Sequence, residues 1–155
     1  MLKRIAFTLV FCCMAVSAFA APKDFGEFSL DLADGWALIG EPINQQGVLV
    51  AMFMNEAAES MVNVTLAPTQ GQSAKELGDL TSEGMKAQGA VLKIVKTSDD
   101  KVVFEGKQDD VEARMVLSTD TGAKVMSTVV SAGDLAACGK LVKTIKFKNS
   151  KLSAE

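Results

Sequence analysis

Seven consecutive residues, Val48 to Met54 (Val-Leu-Val-Ala-Met-Phe-Met), include nothing polar. An extended backbone turns successive side chains to opposite faces, so a strand made of this run carries apolar surface on both sides. That predicts a central strand of a sheet, covered above and below. The run is far shorter than the roughly 20 residues a membrane-crossing helix needs, and no helix signals stand at its ends.

The flanking segments read as its neighbours. Phe28, Leu30 and Leu32 alternate with Ser29 and Asp31, the period of a strand with one buried face, and Ala33 to Trp36 turns it. Gly40 to Gly47, with Pro42 and Asn44, reads as a loop. After Met54 a polar connection (Asn55 to Ser60) leads into Met61 to Leu66, where Val62, Val64 and Leu66 point inward to complete a hairpin. Pro68 and Gly71 end it.

Ser73-Ala74-Lys75-Glu76 is a capping box, opening a helix expected over residues 73–88. Its buried stripe is Leu77, Leu80, Gly84 and Met85, with Gly84 permitting close approach and Gly89 as the C-cap. From Val91 to Val130 four apolar runs are separated by short polar turns, and turns that short join only antiparallel neighbours. Gly133 and Asp134 begin a second helix in which Leu135, Cys138, Leu141, Val142 and Ile145 share a face. The basic tail from Lys146 is expected to fray. Three strands, a helix, four strands and a helix make an α+β fold. With a two-sided strand at its centre, the expected architecture is an α/β/α sandwich, a mostly antiparallel sheet with helices packed on it.

The first twenty residues stand apart. Lys3 and Arg4, an apolar run from Ile5 to Val16, and Ala18-Phe19-Ala20 form a secretory signal peptide, leaving residues 21–155 as a single domain that is periplasmic or secreted. Lipidation at Cys12 or Cys13 is the alternative, disfavoured by the bulky Phe11. Cleavage removes two of 16 basic residues and none of the 19 acidic ones, moving the net charge from −3 to −5. That sign argues against nucleic acid and anionic lipid as partners. Only Cys138 would survive, so the domain has no internal disulfide.

Phe28-Ser29-Leu30-Asp31-Leu32-Ala33-Asp34-Gly35-Trp36 resembles the opening phrase of the PsbP-like superfamily, F-x-L-x-L-P-x-G-W, with Ala33 where proline is usual. Asn63 to Pro68 before a capped helix, and a last helix running into Ile145-Lys146-Phe147, are similar to the same group, nearest to its bacterial envelope DcrB-like proteins. The resemblance implies an α/β/α sandwich and a role in protein binding or complex assembly. It implies no shared active site, catalytic residue or cofactor.

The chain has no histidine and no tyrosine, which removes the commonest general base and metal ligand. A Ser-Lys pair is conceivable at Ser73 and Lys75, but the cap already explains both. Cys138 sits on an apolar stripe, where a cysteine acts as a small hydrophobe, and an intermolecular disulfide through it is the alternative. Met52, Met54 and Met61 gather on one side of the hairpin and read as core filling, with a Cu(I) site as the competing idea. Asp99-Asp100, Asp109-Asp110 and Asp120 read as turn residues, with a weak Ca²⁺ site as theirs. Trp36, with Phe25, Phe28 and the loop Gly40 to Gly47, is the candidate partner-binding edge, with Trp36 as a plug of the sandwich end the favoured reading against it. The chain therefore reads as an exported, non-enzymatic protein of the envelope, a monomer or weak homodimer that binds an unknown envelope protein. The alternative is a carrier or sensor of a small apolar ligand or metal.

Overall fold

The computed structural model describes residues 22–87, 91–108 and 110–155. The expected signal peptide with Cys12 and Cys13, the expected cap at Gly89, and Asp109 lie outside them. The chain runs β1 (Lys23–Asp24), β2 (Phe28–Leu30), β3 (Ala37–Leu38), β4 (Ile43–Gln45), β5 (Val48–Asn55), β6 (Ser60–Pro68), α1 (Ala74–Ala87), β7 (Val91–Thr97), β8 (Lys101–Gln108), β9 (Val111–Asp120), β10 (Val125–Ala132), α2 (Leu135–Val142) and β11 (Lys146–Phe147). Eight strands form one antiparallel sheet in the order β3-β5-β6-β10-β9-β8-β7, with β4 also paired to β5. β1, β2 and β11 form a second, three-stranded sheet.

The α/β/α sandwich is not what forms. Among the described residues strand accounts for 47% and helix for 17%, in two helices, so the fold is β-rich. The reason is geometric. A helix is about 10–12 Å across with its side chains, and strands lie about 4.8 Å apart, so one helix shades two or three strands of a wide sheet. α1 packs on β7, β8 and β9, and α2 packs on β6, β10 and β9. They do so on opposite faces. Val129 joins the cluster with Cys138 and Leu141 of α2, while its neighbour Val130 packs with Met115, Phe104 and Ala74 under α1. Among the described residues each face thus has one helix, α2 over the middle of the sheet and α1 over its β7 end.

The rest of the α2 face is closed by strands and by the end of the chain. Phe28 and Leu30 of the small sheet, Trp36, and Leu152 and Ala154 complete the larger core cluster. Residues 148–155 do not fray. Ser153 N donates to Ser118 Oγ at 2.8 Å, and Ser118 Oγ pairs with Ser127 Oγ at 2.7 Å, so a buried hydroxyl pair on β9 and β10 fastens the tail. Asn149 and Lys151 bind the Asp120 carboxylate at 3.0 and 3.2 Å.

β5 is neither central nor covered twice. Leu49, Ala51 and Phe53 are buried against the α2-side core, whereas Val48, Val50, Met52 and Met54 are only half-buried. Its outer neighbours are the short β3 and β4, the latter formed inside the segment expected to be a loop and joined to β5 through Gln46 and Gly47, both at positive φ. In α1 the buried line runs through Ala74 and Gly78, with Leu77 and Met85 packed beside them, while Leu80 is 61% exposed. The close approach therefore falls at Gly78, where a Cβ would meet Val102 at 3.0 Å, and not at Gly84, which has nothing within 4 Å.

Candidate functional site

The open side of β5 ends in a depression. Met54 and Met61 face each other across the β5–β6 hairpin, Ala132 stands opposite Met61 on β10, and all three point away from α2. With Val111, Gly133 and the turn residues Asn55, Glu56 and Glu59 they line an apolar cavity of about 380 Å³. A second depression of about 680 Å³ shares Met54 and Glu56 and continues past Gly35, Ala37, Ile39 and Ala57. Val111 is 46% exposed and Ile39 42%. α1 packs only on the far half of this face.

Local chemistry fixes the walls. Asn55 Oδ1 accepts from Ala58 N at 3.1 Å, and Glu59 takes a positive φ to close the turn. Ser60 Oγ donates to Ala58 O at 2.8 Å and accepts from Asp134 N at 3.0 Å, tying this turn to the start of α2. Asp134 caps that helix, accepting from the amides of Ala136 and Ala137. Gly133, at φ 94°, lies against the Glu59 carbonyl with no room for a Cβ. The turn and the helix start are thus one rigid corner.

The corner is acidic. Asp34, Glu56, Glu59, Asp110, Glu112 and Asp134 stand on or beside the turns at this end of the sheet, and Gly35 abuts Asn55 there. No lysine or arginine occurs in the segments 33–36, 55–59, 110–112 or 133–134. An apolar floor with a carboxylate rim suits an apolar ligand that carries positive charge at its edges.

Phe28 and Trp36 are buried in the main core, and Phe25 stacks on Phe28 at 4.8 Å between ring centroids. Phe28 and Trp36 therefore support the fold from within, Trp36 as part of the core, while Phe25 is half-buried against it. Cys138 is also buried, its thiol near the carbonyls of Met61 and Ala132, each at 3.6 Å, and burial pushes that thiol up. Of the methionines expected in the core, Met54 and Met61 are instead the partly exposed floor, and Met52, also half-buried, lies outside it. They were the available signal for this face, since methionine suits both irregular interiors and adaptable binding surfaces.

Elsewhere, Ser73 Oγ donates to Glu76 within the cap, and Lys75 pairs with Asp79 at 2.8 Å, which raises the lysine's pKa. At the opposite end of the sheet Ser73, Asp99, Asp100, Thr119, Asp120 and Lys151 border a polar depression of about 510 Å³. Hydrogen bonds from Asn149 and the Ala123 amide, with Lys151 alongside, hold the Asp120 carboxyl at about 2. Among the described residues no group of three or more acidic or cysteine side chains converges as a metal site would require. Among the same residues no helix is long and apolar enough to cross a membrane.

No protein-family model and no curated protein matches the chain. Among solved structures it is similar to a crystal structure from Bacteroides thetaiotaomicron VPI-5482 at 1.50 Å resolution, with 10% identity and a TM-score of 0.42. That match covers 79% of this chain and 46% of the other, so the chain spans less than half the length of the protein it matches.

Proposed function

We propose that this chain is an exported, non-enzymatic binding module of the bacterial envelope, periplasmic or secreted, which holds another polypeptide against the open face of β5, β6 and β10. One observation carries this reading: the methionine-floored depression at the β5–β6 corner is apolar and open, while the equivalent face of β7 to β9 lies under α1. Contiguous exposed apolar surface on a rigid scaffold is where soluble domains meet partners. The leader-like first twenty residues support export. The PsbP-like resemblance in the Phe28 to Trp36 phrase agrees with an assembly role.

A photo-crosslinking side chain placed at Ala57, beside the depression, tests it in cells. Adducts of defined mass from Ala57 and none from Leu80, another exposed apolar position, on α1, are the expected result. Equal adduct formation at both positions, or none at Ala57, removes the reading. The cavity of about 380 Å³ also falls within the size range of small-molecule pockets, which favours an apolar ligand as the second reading. Native mass spectrometry of the purified protein showing a bound mass that Met61→Lys displaces would move the assignment to that class.

A further inference from the structure

We infer that the occupant of this face is a cationic amphipathic segment, a helix or extended peptide whose apolar row seats on Met54, Met61, Val111 and Ala132 and whose lysines or arginines reach Glu56 and Glu59. The inference rests on the binding-module reading and specifies its partner. Its argument is complementarity of two kinds.

The floor comes first. Thioether side chains are unbranched and polarizable, so Met54 and Met61 adapt to different apolar shapes, as adaptable helix-binding grooves do. Two depressions meeting at Met54 make an elongated groove, which fits a row of side chains from one segment better than a single compact molecule. The rim comes second. Glu56 and Glu59 are exposed and flank the floor, and neither the 55–59 turn nor the other residues lining the depression include a lysine or arginine. An acidic segment would meet repulsion from Glu56 and Glu59, and a neutral apolar one would leave both carboxylates without a counter-charge. A second copy of this chain docked corner to corner is disfavoured by the same account, because it would bring an equally acidic rim to the contact.

The test uses residues 21–155 and three fluorescent 18-residue peptides that share one leucine pattern (i, i+3, i+4, i+7), with lysine, glutamine or glutamate at the remaining positions. Fluorescence anisotropy is expected to show the lysine peptide binding about tenfold or more tighter than the glutamine peptide, the glutamate peptide weakest, and the preference shrinking as salt rises. Glu56→Gln with Glu59→Gln should reduce the lysine peptide's affinity about tenfold and leave the glutamine peptide's unchanged. Glu83→Gln, on the exposed side of α1, should alter neither. Equal affinity for the lysine and glutamate peptides overturns the inference. So does a dimer in sedimentation equilibrium that Met61→Lys dissociates, since the occupant is then a second copy. The two proposals fail separately. Crosslinks from Ala57 that the lysine peptide does not compete away leave the binding module standing and remove its cationic partner, whereas absence of crosslinks removes both.

Discussion

The two halves of the large sheet carry similar backbones and opposite coverage. In β7 to β9 the outer face is roofed by α1, and a compact cluster of Ala74, Val102, Phe104, Met115 and Leu117 fills the space. In β5, β6 and β10 the same face is open, and the packing lies behind it, where Phe53, Val62, Val64 and Val129 meet Cys138 and Leu141. The difference shows that a strand apolar on both sides need not be buried on both. β5 keeps its fold through one face, which frees the other to be used.

The contrast makes its strongest claim within a single strand. Phe53 is fully buried, so Phe53→Ala should cost about 3–5 kcal/mol in urea denaturation. The adjacent Met54, half-exposed on the open face, should cost about 1 kcal/mol or less as alanine, in line with substitutions away from packed cores. Equal losses would mean that the open face is a second core.

The roofed half is sharpened by two glycines of one helix. Gly78→Ala drives a Cβ against the stiff, β-branched Val102, and should destabilise by about 1–3 kcal/mol despite its better helix propensity. Gly84→Ala meets no atom within 4 Å and should stabilise by up to about 1 kcal/mol. Thermal melts of the pair give opposite signs if α1 sits as described.

At the rigid corner, Asp134→Ala removes two hydrogen bonds to the first turn of α2 and should cost about 1 kcal/mol in urea denaturation. The opposite end of the sheet supplies the smallest effect, a pH dependence. Asp120 titrates near 2 when folded, below its ordinary value of 3.8, so the stability it contributes is complete above about pH 4 and is lost as pH falls toward 2. The stability gap between the protein and Asp120→Asn, followed by urea titration, should therefore narrow through that window. A constant gap would show that the carboxylate's charge does not fasten the tail.

The meander of β7 to β10 was legible because its turns are short and polar, and both helix starts because Ser73, Glu76 and Asp134 are specific capping residues. Other features left weak traces. Neither parity of β5 is polar, so no alternation could say which side is buried. Gly78 carries no hydropathy, so the stripe of α1 was drawn through Leu80. In the tail, the two apolar residues Leu152 and Ala154 do alternate with polar ones, but among lysines they read as fraying. Met52, Met54 and Met61 read as core filling because hydropathy alone does not separate an interior from a docking floor.

Cys138 adds a practical property. As the one thiol of residues 21–155, on the buried face of α2, it can react with a maleimide or iodoacetamide only while that helix lifts from the sheet. The rate of alkylation is therefore an intrinsic clock for opening at the corner, and a molecule that clamps the hairpin to the helix should slow that clock without touching the sulfur.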